Sequence, residues 1–253
     1  MEPRGALELA GQVLAGDGEH FTTVVIAVHD PAAATLTYAT AGHPPPIIVD
    51  APPGEPPAGW TCPPIGWGVP TGRAQTTLSM PARALACFYT DGLTEARANG
   101  AMLGRPGLAG MLTSGAPAPT APEVLERVRA AADASADDMA VCVVQPVRGA
   151  EAPFWMEELE LDGRQLTGPR THHFLRKRGL RRDRIADLIA RARQLVDEQG
   201  TALLRLRTEP AGVTATVAIP PDVAHRVPGA HPAVAVSGES EAQALALARI
   251  ATG

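Results

Sequence analysis

The sequence predicts an α+β protein built on antiparallel sheets, because strand-like runs pair locally while helical runs fall in separate stretches. Residues 21–29 and 35–41 are β-rich and are joined by Asp30-Pro31-Ala32, a hairpin signal. Residues 84–89 (ALACFY) and 139–144 (MAVCVV) are unbroken apolar runs of strand length, as expected of strands buried on both faces.

The remaining elements follow in order. Residues 5–15 carry apolar side chains at helical spacing and stop at Gly16-Asp17-Gly18. Residues 44–49 read as a short edge strand because of their prolines, 51–72 as a Pro/Gly-rich loop, and 74–80 as a further strand. Helices are expected over 106–113 and 121–134. The second is well marked: Thr120 can cap it, Pro122 suits its first turn, and Glu123 favours that end of the helix dipole. Residues 148–153 read as a linker. Beyond it the pattern restarts with a strand over 155–161, helices over 169–178 and 182–199 broken at Gly179, and a hairpin over 201–207 and 212–219. A loop over 220–232 and an Ala-rich helix over 239–250 complete the chain. The expected organisation is a domain at 1–147, a linker at 148–153 and a small C-terminal α/β domain at 154–253.

Composition narrows the function. At 45% hydrophobic and 19% charged, the 253-residue chain can bury a core. Aromatics are only 4%, so that core must be aliphatic. The net charge of -5 gives no support for nucleic-acid binding. No signal-peptide pattern or membrane-length apolar run occurs, so a cytoplasmic protein without membrane attachment is expected. Lys177 is the only lysine, and with abundant Ala and Arg this coding bias suggests a GC-rich bacterial genome. The three cysteines, Cys62, Cys87 and Cys142, are too dispersed for a disulfide framework or a metal knuckle; Cys87 and Cys142 read as small core residues.

Two carboxylate positions stand out. Asp91 follows the apolar run 84–89 within Thr90-Asp91-Gly92, and Asp137 and Asp138 immediately precede the run 139–144. If those strands are antiparallel neighbours, the carboxylates gather at one sheet edge, where a cation must offset their repulsion. Oxygen-only donors suit Mg²⁺ or Mn²⁺. The plain alternative is a turn after one strand and a loop before the other.

Five fragments occur in one order: Phe21-Thr22-Thr23-Val24-Val25; Leu36-Thr37-Tyr38-Ala39-Thr40-Ala41-Gly42-His43-Pro44-Pro45; Pro64-Ile65-Gly66; Phe88-Tyr89-Thr90-Asp91-Gly92-Leu93-Thr94-Glu95-Ala96; and Asp137-Asp138-Met139-Ala140-Val141. Over residues 5–146 this order resembles the later part of a SpoIIE/RsbU-type phosphatase of the PPM superfamily. The resemblance implies a partial PPM β-sandwich, two antiparallel sheets flanked by helices, with Mn²⁺ or Mg²⁺ at one end. It implies metal-dependent dephosphorylation of phosphoserine or phosphothreonine on an anti-anti-sigma-factor-like protein, in bacterial stress or developmental signalling. Asp91 and Asp137 match metal ligands; Asp138 matches either a ligand or a loop residue, and Gly92 would bring backbone close to the metal. His43 is a candidate for contact with substrate, or a residue of the strand-to-loop turn beside the site.

The sequence also departs from that pattern. The family's Gly-Asp-aromatic-Tyr-Asp and Asp-Val-x-Gly-x-Gly stretches, which complete its metal site, do not occur here. Three readings stay open: a gene model begun late, a piece of a longer regulator, or a catalytically inactive phosphatase-like binding module of a sigma-factor switch. The C-terminal domain resembles a degenerate GHKL-type ATPase: Arg191 stands where that family places a metal-binding Asn, and no Gly-rich lid follows. The pair His172-His173 reads as surface. The basic cluster Arg176, Lys177, Arg178, Arg181, Arg182 and Arg184 reads as a solvated helix face or a site for an acidic partner or nucleic acid.

Overall fold

A computed structural model describes residues 2–14, 20–51, 62–114, 118–133, 138–220 and 234–237. The expected helix over 239–250, most of the loop 220–232, and Asp137 lie outside the described residues.

Helix α1 (Pro3–Val13) leads to the hairpin of β1 (Val24–Asp30) and β2 (Thr35–Ala41). The turn forms as its chemistry dictates: Asp30 Oδ1 accepts from the amides of Ala32 and Ala33, at 2.9 and 3.0 Å. Those two amides hold the Asp30 carboxyl below its ordinary range. Next come β3 (Ile47–Val49), β4 (Ala74–Ser79) and β5 (Leu85–Tyr89). A short helix α2 (Asp91–Glu95) precedes a small hairpin, β6 (Arg97–Ala98) and β7 (Ala101–Met102). Helices α3 (Gly104–Thr113) and α4 (Ala121–Ala131) lead to β8 (Val141–Val144). The start of α4 is fixed by Glu123, whose carboxylate accepts from Thr120 N at 2.7 Å and Thr120 Oγ1 at 2.8 Å.

The second half holds β9 (Trp155–Leu161), α5 (Gly163–Thr167), α6 (Pro169–Lys177), α7 (Arg182–Gln199), β10 (Ala202–Glu209), β11 (Gly212–Ala218) and β12 (Val234–Ser237). Helix α5, not anticipated from sequence, starts because Asp162 accepts from Arg164 N and Gln165 N while Gln165 Oε1 accepts from Asp162 N.

All pairing among the named strands is antiparallel. The large sheet runs β1-β2-β4-β9-β10-β11-β12, and the small one β3-β5-β8. One face of the large sheet packs on the small sheet through Leu36, Leu78 and Trp155 against Ile48 and Ala86. Side chains alternate along a strand, so Leu159 and Leu161 of β9 share the face of Trp155. That part of the face is covered by α5–α7 through Leu166, Leu175, Ile185 and Leu188. The far side of the small sheet meets α3 and α4 around Leu85, Cys87, Leu108 and Val124. Helix α1 covers the opposite face of β1 and β2 with Leu7 over Ala39 and Ala41. Each fully buried leucine contributes on the order of 1.5–3 kcal/mol. The result is a helix–sheet–sheet–helix sandwich, the α+β architecture that the sequence implied.

The expected linker at 148–153 lies inside this arrangement. Ala150 N donates to Met80 O at 2.9 Å, and Ser79 exchanges bonds with the backbone of Phe154. Immediately beyond, β9 pairs with β4 in the register Leu78↔Trp155 and Ala74↔Leu159. One sheet thus spans both sequence halves.

Strand β8 departs from expectation. It is the edge of the small sheet, only half-buried, and Cys142 is exposed rather than part of the core. Cys62 and Cys87 are buried, and burial pushes the Cys87 thiol up to about 12 and the Cys62 thiol upward as well. In the native protein at mild alkaline pH, a disulfide-exchange reagent is expected to titrate one thiol, lost in Cys142→Ser. Rapid reaction of a second thiol would contradict the packing.

Candidate functional site

Strands β5 and β8 pair antiparallel with Tyr89 opposite Val141 and Cys87 opposite Val143. The carboxylate that follows β5 and the one that precedes β8 are therefore brought to the same edge of the small sheet. Thr90 fastens the two segments. Its amide donates to Ala140 O at 3.0 Å, its hydroxyl donates to Asp138 O at 3.2 Å, and Ala140 N donates back to the hydroxyl at 3.0 Å.

Asp91 does not occupy a simple turn. It is the first residue of α2, and Thr90, with φ −84° and ψ 159°, stands at the helix N-cap. An acidic residue in a first turn is favoured by the exposed amides there. The Gly92 amide donates to Asp91 Oδ1 at 3.2 Å, and Thr94 Oγ1 donates to Asp91 O at 3.0 Å. Gly92 is buried within this helical turn, while Asp91 and Asp138 are exposed to solvent at the edge.

His43 reaches the same place. Its Nε2 lies 3.0 Å from Tyr89 O, and its Nδ1 lies 3.4 Å from Thr23 Oγ1. A carbonyl only accepts, so Nε2 carries the proton; in the neutral ring Nδ1 then accepts from the threonine hydroxyl. Both nitrogens are engaged in tying the β1–β2 hairpin to the end of β5. Arg105 braces the same loop, donating to Pro45 O at 2.6 Å, Pro46 O at 2.9 Å and Tyr89 Oη at 2.9 Å. Thr90 as a clasp and Arg105 as a brace were not singled out from the sequence. The first had a signal, its place in Thr-Asp-Gly; the second had none, since its partners lie 16, 59 and 60 positions away.

The donors suit a hard divalent ion in kind, since they are carboxylate oxygens accessible to solvent, and Mg²⁺ is commonly held by one or two carboxylates. In number they are few: among the described residues no group of three or more His, Cys, Asp or Glu is placed to share an ion.

The family model described as Stage II sporulation protein E (SpoIIE) matches residues 2–146. No curated protein sequence matches. The phosphatase domain of the cell fate determinant SpoIIE from Bacillus subtilis, a manganese-presoaked structure, is similar at 16% identity and a TM-score of 0.42, over 58% of this chain and 67% of that one. The RsbU and RsbW domains of a Mycobacterium tuberculosis protein are similar at 20% identity and a TM-score of 0.38, over 77% of this chain and 59% of that one.

Proposed function

Since the chain belongs to the SpoIIE family of PPM-type phosphatase domains, we propose that it carries the closing half of a metal-dependent phosphoserine/phosphothreonine phosphatase site. Asp91, Asp137 and Asp138, with the backbone at Gly92, would hold Mn²⁺ or Mg²⁺. The substrate is a phosphorylated anti-anti-sigma-factor-like protein in the bacterial cytoplasm. The observation that supports this reading is the β5–β8 register, which brings the flanks bearing Asp91 and Asp138 to one edge. When bound, divalent ions would supply a hydroxide nucleophile and offset charge on the phosphoryl group. The chain's own residues fix the geometry: Thr90 locks the two carboxylate-bearing segments together, and His43 and Arg105 hold the neighbouring loop against Tyr89.

Manganese titration followed by the free-ion EPR signal tests the ligand assignment. Asp91→Asn and Asp138→Asn should each weaken binding about tenfold or more, the scale on which even supporting residues act. Both side chains are exposed and asparagine can still accept from the Gly92 amide, so metal-free melting should change little. With the Gly-Asp-aromatic-Tyr-Asp and Asp-Val-x-Gly-x-Gly stretches supplied ahead of the chain, phosphate release from a phosphorylated regulator should require Mn²⁺ or Mg²⁺ and vanish in Asp91→Asn. Equal manganese affinity in wild type and Asp91→Asn would remove Asp91 from the site.

A second reading, a phosphatase-like binding module without turnover, draws on the missing Gly-Asp-aromatic-Tyr-Asp and Asp-Val-x-Gly-x-Gly stretches. It predicts binding of the regulator with chelator present and no phosphate release under any metal condition.

A further inference from the structure

The run Arg176-Lys177-Arg178-Gly179-Leu180-Arg181-Arg182-Asp183-Arg184 closes α6, turns, and opens α7. Its cations have different fates. Arg178 is buried, with Nε and Nη2 on the Glu157 carboxylate at 2.6 and 2.5 Å and its guanidinium over the rings of Trp155 and Phe174. Leu180 is buried beside it, and Gly179 takes a φ of +77°, the left-handed turn that ends a helix. The elbow is thereby fixed to the start of β9. The other five cations are exposed. The one anion among them, Asp183, pairs with Arg181 at 3.4 Å; among the described residues Arg176, Lys177, Arg182 and Arg184 form no ion pair.

Local structure accounts for only part of this. Arg176 and Lys177 lie at the C-terminus of α6, where the helix dipole favours cations. Arg181, Arg182 and Arg184 crowd the N-terminus of α7, where it disfavours them. They do so in a chain whose net charge is -5. Among the described residues the exposed large hydrophobic side chains all lie elsewhere, so these residues give the elbow no apolar anchor for a lipid surface. The rest of the chain is net negative, which disfavours a long polyanion. A short acidic segment is the complement that fits, and the pinned turn holds its contacts in place before binding.

Register gives its location. Trp155 lies opposite Leu78, and Leu78 opposite Leu36 at the start of β2. His43, just past the end of β2, bonds to Tyr89 beside Asp91. The elbow and the carboxylate edge therefore stand at opposite ends of the strands, on the order of 20 Å apart.

We propose that the α6–α7 elbow is a docking surface for an acidic segment of a partner protein, engaged while the Asp91–Asp138 edge stays open. The surface is independent of whether that edge turns over substrate. The test is fluorescence anisotropy of a fluorescein-labelled oligoglutamate peptide titrated with the full chain at low salt. Wild type should bind, and affinity should fall as ionic strength rises. Arg181→Glu/Arg182→Glu and Arg176→Glu/Lys177→Glu should each weaken binding about tenfold or more. Arg191→Glu/Arg193→Glu, exposed farther along α7, should leave it unchanged. Acidic residues suit the first turn of α7, so Arg181→Glu/Arg182→Glu should melt at the same temperature or higher. Absence of wild-type binding, equal weakening by Arg191→Glu/Arg193→Glu, or loss of binding with a lowered Tm would overturn the proposal. So would tighter binding to labelled duplex DNA or to phosphatidylserine vesicles than to the peptide. Salt-sensitive self-association of the wild type, abolished by Arg181→Glu/Arg182→Glu, would assign the surface to a second copy and equally overturn it.

Discussion

Arg178→Ala is expected to lower folding stability by about 3–5 kcal/mol, because it strands the Glu157 carboxylate in the interior without its partner. Both side chains are nearly inaccessible, at 5% and 7%. The substitution also removes the cation stacked on Trp155 and Phe174. Urea unfolding followed by tryptophan fluorescence measures the loss as a lower midpoint. The double variant Glu157→Leu/Arg178→Met should recover most of it, since an apolar pair of similar volume avoids the desolvation of two charges. If the single and double variants were equally unstable, packing rather than charge would be responsible. The pH dependence has a definite sign. Burial holds the Glu157 carboxyl above its usual 4.5 despite Arg178. A raised folded pKa means the group's contribution is fully present below the unfolded value and declines as pH rises through the folded one. Without Arg178 the elevation grows, so the deficit of Arg178→Ala should be smaller near pH ~5 than at pH ~7.5.

A chain ending at Val147 is the second large effect. It should fail to unfold cooperatively, in contrast to an autonomous domain at 1–147. Its β4 would lose β9 along five paired positions, Ala74 to Leu78. Trp155 would leave the core shared by the two sheets. Arg4 would lose Glu160, at 2.9 Å, and Gln75 would lose Glu158, at 2.5 Å, which thins the polar network under α1 to contacts such as those with Glu2. Circular dichroism through a thermal ramp distinguishes the outcomes: a sharp transition for residues 1–147 would show that the first half stands alone.

What could be read beforehand depended on the range of the interactions involved. The Asp30 turn was legible because its hydrogen bonds reach only two and three residues along the chain. The Asn99-Gly100 turn, with φ of 54° and 77°, carries a comparable signal. Its flanking strands are only two residues long and show no alternation, so no strand pattern frames it in the sequence. Cys142 differs for another reason: an apolar run looks alike in a central strand and at an edge, and among the described residues no strand lies beyond β8 to cover it. At the site, the meeting of the Asp91 and Asp138 flanks followed from two strand ends. That Asp91 opens a helix, and that Arg105 grips the loop at Pro45 and Pro46, depended on contacts without a local trace.

The pairing of β4 with β9 also governs the order of assembly. The β1–β2 hairpin closes over a handful of residues, whereas β4 must wait for a strand that starts at Trp155. Contacts so distant along the chain close late and slow the search for the native state. During synthesis the β4 edge stays open until about 80 further residues have been made, an interval set by the spacing of the two strands. An unpaired edge beside apolar Leu78 and Met80 invites pairing with other chains. The yield of folded protein should therefore be limited by how long the nascent first half is kept from its neighbours, more than by the stability of the finished sandwich.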